Sequence, residues 1–64
     1  MIRINGEVIQ ADTLPLAEYL EANHYPANGI AVEINEEILP RSQHKDCLLH
    51  SGDVVEIVSL VGGG

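Results

Sequence analysis

Phenylalanine and tryptophan are absent from the 64 residues, and Tyr19 and Tyr25 are the only aromatic side chains. A core organised around large rings is thereby excluded, and packing falls to Ile, Leu and Val within the 45% of residues that are hydrophobic. Cysteine occurs once, at Cys47, so no internal disulfide can form. A chain this short buries only about 60% of the surface its unfolded form exposes, and small domains often add disulfides or a structural metal. Here aliphatic packing must suffice. Basic residues are scarce too: three Lys and Arg stand against ten Asp and Glu, for a formal net charge of -7. Nucleic acids and anionic membranes are bound through Lys and Arg, so neither is an expected partner. The acidity serves solubility and favours a protein partner with a basic face, reached faster by electrostatic steering.

No apolar run approaches the roughly 20 residues that span a bilayer. The opening "MIRINGEVIQ" has no hydrophobic signal-peptide core and no cleavage-like site. With a lone cysteine, these features make the cytoplasm the expected compartment. No internal repeat or linker divides the chain, and its one low-complexity segment is a terminal triglycine.

Catalytic signatures are missing as well. There is no G-x-x-x-x-G-K-[ST], no G-x-G-x-x-G and no G-x-S-x-G. The most site-like cluster is "HKDCLLH", which spaces His44, Cys47 and His50 three apart. Imidazole and thiolate suit zinc, but a structural site takes four protein ligands, and Leu48, Leu49 and the turn after them interrupt a helix. A nucleophilic Cys47 would need an electropositive setting and an orienting third group. The expectation is two surface histidines and a small half-buried thiol, with no catalytic residue and no metal site. Glu36 and Glu37 read as solvated turn residues, and His24 as a loop residue.

What is present is alternation. "MIRI" and "EVIQ" flank Asn5-Gly6, the strongest short hairpin signal, because a type I′ turn wants positive φ at both central residues. A two-residue turn sets Ile4 opposite Glu7, Arg3 opposite Val8 and Ile2 opposite Ile9. Ile2, Ile4 and Ile9 then face the core, and Val8 and Arg3 the outside. "ADTLPLAEYLEANHYP" reads as one short helix capped by Asp12 or Thr13, with Pro15 in its first turn. Leu16, Tyr19 and Leu20 form its apolar face, Glu18 and Glu21 face water, and Pro26 ends it near Asn23. "IAVEIN" turns Ile30, Val32 and Ile34 inward, "NEE" reverses the chain, and Pro40 stops the brief strand "ILP". "RSQHKDC" is irregular or a single helical turn, and at least one of Leu48 and Leu49 re-enters the core.

"SGD" launches the last strand, "VVEIVSLV". Val54, Glu56, Val58 and Leu60 share one face and Val55, Ile57, Ser59 and Val61 the other. Glu56 does not belong unpaired in a small core, so Val55 and Ile57 point in. Val58 and Leu60 are left exposed beside the tail. The order predicts an α+β fold: a mixed sheet of four to five strands with one main helix packed across it.

Gly62, Gly63 and Gly64 have no side chains, so any chemistry there uses backbone and the terminal carboxylate. That carboxylate is ionised at neutral pH and can attack the α-phosphorus of ATP. The resulting acyl-adenylate has a good leaving group, which a sulfur nucleophile can displace. Glycine keeps the tail thin and free in φ/ψ, and three extended residues reach about 10 Å into a narrow cleft. Val58 and Leu60 would dock beside that cleft. The plainer expectation is an idle, frayed end.

These features together resemble the ubiquitin-like sulfur carriers, and most closely the ThiS family of thiamine biosynthesis. "MIRINGE" looks like that family's opening hairpin. "AVEINEEILPRSQH", with Val32-Glu33, Asn35, Ile38 and Pro40-Arg41, looks like its central stretch. "LLHSGDVVEIVSLVGGG" looks like its closing Gly-Asp turn, strand and glycine tail. Ser51 departs from the acidic residue common before that glycine, which touches only a turn. The resemblance implies a β-grasp (ubiquitin-like) domain over residues 1–61 with a flexible glycine tail at 62–64; a monomer is assumed. It implies that Gly64 is adenylated by an E1-like adenylyltransferase of ThiF type using MgATP. Sulfur then comes from a persulfide supplied by a donor such as a cysteine desulfurase. The Gly64 thiocarboxylate gives it to a thiazole synthase of ThiG type. The chain itself would bind no cofactor and be a protein cosubstrate rather than an enzyme. The alternatives are the small subunit of molybdopterin synthase, which also ends in Gly-Gly and carries a thiocarboxylate, and a ubiquitin-like modifier or interaction module.

Overall fold

The computed structural model describes residues 1–26 and 28–60. Two strands open the chain, β1 (Ile2–Ile4) and β2 (Glu7–Ile9), joined at Asn5-Gly6. Both turn residues have positive φ, 50° and 82°, as a two-residue hairpin of this kind requires. The expected register holds throughout: Ile2 lies opposite Ile9, Arg3 opposite Val8 and Ile4 opposite Glu7. A second hairpin joins β4 (Ile30–Ile34) to β5 (Glu37–Leu39) through Asn35 and Glu36, which also take positive φ, 52° and 72°.

The last strand, β7 (Val54–Ser59), lies between the two hairpins. It runs parallel to β1 and antiparallel to β4, giving a five-stranded mixed sheet in the order β2-β1-β7-β4-β5. Period-two alternation puts Ile2, Ile4, Ile30, Val32, Val55 and Ile57 on one face, where all are buried. The helix α1 (Leu16–Ala22) contributes Leu16 to the same core, with Tyr19 and Leu20 packed against it. Leu49 completes the core, while its neighbour Leu48 is exposed.

The segment before the helix departs from expectation. Thr13–Pro15 is a short strand, β3, rather than the first turn of the helix, and it pairs antiparallel with β6 (Leu48–His50). Neither Asp12 nor Thr13 caps the helix; Pro15 is the N-cap residue, and no side chain caps it. Proline disfavours the α region for the residue before it, so Leu14 stays extended and its backbone pairs with Leu49. The Asp12 carbonyl accepts from the Ser51 N–H at 2.8 Å, and the Leu16 N–H donates to the Cys47 carbonyl at 3.0 Å. Long-range pairing thus outweighs a local helix start. Arg41–Asp46 forms a 3₁₀ turn, and it buries His44 to 8% exposure. This corrects the expectation that His44 and His50 are both surface histidines; of the two, only His50 is exposed.

Two asparagines tie the hairpins to the last strand. The side chain of Asn5 acts as a short piece of β-ladder: its Oδ1 accepts from the Ile57 N–H at 2.7 Å, and its Nδ2 donates to the Ile57 carbonyl at 3.2 Å. Asn35 does the same work at the strand's start, where its Oδ1 accepts from the Val54 N–H at 2.9 Å. Its Nδ2 donates to Asp53 Oδ1 at 3.1 Å. Side-chain partners thereby satisfy backbone groups of β7 where the flanking strands turn away.

Candidate functional site

The face of the sheet turned away from α1 carries the open apolar surface. Along β7 it presents Val54, Glu56, Val58 and then Leu60, all exposed. Val58 is 53% exposed and Leu60 68%, as the alternation required once Glu56 was placed outside. Cross-strand pairing extends the face: Val58 lies opposite Ala31, Glu56 opposite Glu33, and Glu33 opposite Ile38. On the other side Arg3 lies opposite both Val8 and Val54. Val54 belongs to this surface as strand alternation placed it, and Ile38 joins it although sequence reasoning did not put it there. The signal for Ile38 was the two-residue turn at Asn35-Glu36, which fixes the register that carries it beside Glu33.

Leu60 is the last residue described, and it is pinned: its N–H donates to the Gly29 carbonyl at 2.7 Å. Val61 and the tail glycines Gly62, Gly63 and Gly64 lie outside the described residues.

The histidine and cysteine cluster is dispersed. The His44 ring Nε2 sits 3.2 Å from the Leu39 carbonyl, a distance that suits donation from that nitrogen. Asp53 Oδ2 accepts from the His50 backbone N–H at 2.8 Å. Cys47 is half-buried, and burial, followed by the charge of Asp53, pushes its thiol above the ordinary range. A thiol held protonated is a poor nucleophile. Tyr19 is likewise pushed up, first by burial and then by Tyr25 and Glu7. Among the described residues no three His, Cys, Asp or Glu side chains gather as a metal-binding group. Among the same residues no helix is long and apolar enough to cross a membrane.

On the opposite side of the molecule, a groove of about 540 Å³ separates α1 from the 3₁₀ turn. Leu20, Tyr25, Arg41 and Lys45 are among its lining residues. Arg41 is already engaged there, donating to Asn28 Oδ1 at 2.6 Å.

The sequence and the overall fold have counterparts among known proteins. The ThiS family model matches residues 1–64. The sulfur carrier protein ThiS of Thermus thermophilus is 39% identical over 64 residues, covering 100% of both chains. Its counterpart in Bacillus subtilis is 32% identical over 66 residues, again covering 100% of both. Among solved structures, the crystal structure of the thiamine biosynthesis protein ThiS from Geobacter metallireducens is similar with a TM-score of 0.73. That pair is 33% identical, and the match covers 98% of this chain and 97% of that one.

Proposed function

The chain belongs to the ThiS family and is a sulfur carrier of thiamine biosynthesis with a β-grasp fold; from that premise we propose that Gly64 carries the sulfur as a thiocarboxylate for thiazole formation. The observation that carries this reading is the end of β7. A strand held on both sides leads through an exposed Val58 and Leu60 to residues 61–64, three of them glycine. A partner can therefore grip a rigid apolar surface while a thin tail enters its cleft.

The chemistry needs no catalytic side chain from this chain. A carboxylate oxygen of Gly64 attacks the α-phosphorus of ATP, and pyrophosphate leaves. The terminal sulfur of a persulfide then attacks the acyl carbon of the adenylate, and AMP leaves. A thiol of the donor cleaves the resulting S–S bond, taking the inner sulfur into a disulfide and releasing the Gly64 thiocarboxylate. One oxygen of Gly64 has been exchanged for sulfur. The ATP and its magnesium belong to an E1-like adenylyltransferase, the persulfide to a donor such as a cysteine desulfurase, and the consuming enzyme is a thiazole synthase. Gly62 and Gly63 thread into those enzymes, Val58 and Leu60 dock beside them, and the exchange takes place in the cytoplasm. The full-length alignment with sulfur carriers supports this set of partners.

ATP–pyrophosphate exchange by the adenylyltransferase of the same source is the test. Exchange should depend on this chain and vanish when Gly63 and Gly64 are deleted, with unchanged melting of the truncated protein. Undiminished exchange with the truncated chain would place the activated group elsewhere.

A further inference from the structure

Resting on the carrier reading, we infer that the open sheet face docks a protein partner that inserts an arginine or lysine between Glu33 and Glu56. The same partner covers Val58 and Leu60 with apolar groups.

Glu33 and Glu56 are directly opposite one another in the antiparallel β4–β7 pair. Like charges at such a position disfavour the sheet. Among the described residues no cation forms an ion pair with either carboxylate. Arg3 shares the face, but its register position is opposite Val54 rather than Glu56. Together with Asn35, Glu36 and Val54, the two glutamates line a depression of about 360 Å³. In the free protein, water screens the pair and its repulsion is small. The situation changes once a partner seals Val58 and Leu60, which follow Glu56 along the same strand face. Two facing carboxylates removed from water each need a countercharge or a proton. A partner that binds this apolar surface at neutral pH must therefore bring a cation to the depression. A guanidinium can bridge both carboxylates with its fork of donors.

Charge also decides against the other occupants. A second copy docked through the same patch would bring four carboxylates together, between chains each carrying a net charge of -7. The chain's own terminal carboxylate has the same sign as the pair. A basic protein surface is the occupant that the charges accept, and the whole-molecule charge steers it in.

The experiment measures the dissociation constant of the intact chain for the adenylyltransferase of its own source by calorimetry. Ionic strength is varied, and ATP-dependent modification is followed in parallel. The Glu33→Gln/Glu56→Gln variant keeps size and polarity while removing both charges. Its affinity should fall roughly tenfold or more at low salt, as expected for the loss of close interfacial charge pairs. Part of the difference from wild type should disappear at about 0.5 M salt as long-range attraction is screened, and the rest should persist because a sealed pair is screened far less. The melting temperature of the free variant should match or exceed that of wild type, because a repulsion has been removed. Leu60→Glu should also weaken binding, but with a loss that persists at high salt. Unchanged or tighter binding by the double glutamine variant overturns the inference, and normal modification of wild type in the same samples leaves the carrier reading standing. Wild type that binds but is never modified contradicts the carrier reading alone, while the variant still reports on docking. Wild type that does not bind, or a stable dimer that buries Leu60, overturns the docking inference.

Discussion

Asn5 and Asn35 hold the same position in two hairpins, and each spends its side-chain amide on the backbone of β7. The left-handed conformation they adopt is one that Asn tolerates well. Asn5→Gly keeps that conformation accessible and deletes only the amide, leaving the Ile57 N–H without its partner. The variant should lose about 1–3 kcal/mol of stability in chemical denaturation. A loss indistinguishable from zero would mean that the clamp is ornamental. Glu36 is different: at φ 72° a long side chain sits where glycine is preferred. Glu36→Gly should raise stability by about 1 kcal/mol. Cys47 and Tyr19 give the pH dependence its sign. Both are held protonated to higher pH in the folded chain than in the unfolded one, chiefly by burial. Their contribution is intact below the unfolded thiol's range and is lost as pH rises beyond about 8.5 toward the folded values. The melting temperature should therefore fall between pH 8 and 10, and Cys47→Ala should flatten the first part of that fall. A flat profile in wild type would contradict the burial of these groups.

At the scale of elements, β7 carries both core residues and the exposed face proposed for docking, on alternate residues. Ile57→Ala removes buried aliphatic volume and should cost about 2–5 kcal/mol. Leu60→Glu changes an exposed position and should stay within about 0.5 kcal/mol. Similar losses for the two would place the strand's faces the other way round. This division was legible before any coordinates, because one charged residue, Glu56, settled the direction of every neighbour. The β1–β2 register was legible for a similar reason: Asn5-Gly6 admits one short turn, and the turn admits one pairing. The β3–β6 pair was not. Three residues show no period, and Thr13–Pro15 finds its partner more than thirty residues away in Leu48–His50. Leu14 before Pro15 was the one local hint of extended backbone. The burial of His44 was equally hidden, since it depends on how the 3₁₀ turn lies against α1 and not on any pattern within "RSQHKD". On the proposed docking face, the exposure of Val58 and Leu60 was readable from strand alternation together with Glu56. The Glu33–Glu56 pair and Ile38 emerge only when β4, β5 and β7 are set side by side.

The whole molecule is a small aliphatic core inside a strongly acidic shell. Among the described residues no ion pair offsets that shell, so self-repulsion acts against the compact state. Raising sodium chloride to about 0.5 M should increase the melting temperature; a decrease would show that attractive pairs dominate instead. The same shell suits the proposed carrier, which would meet basic partner surfaces and present only the end of its tail to them. The central claim concerns that end. Intact-mass and fragmentation spectra of the chain should be recorded after incubation with the adenylyltransferase of its source, MgATP and a persulfide donor. The account predicts one sulfur in place of one oxygen, confined to the Gly64 fragment and absent without ATP. An unaltered Gly64, or sulfur found on Cys47 instead, would contradict it.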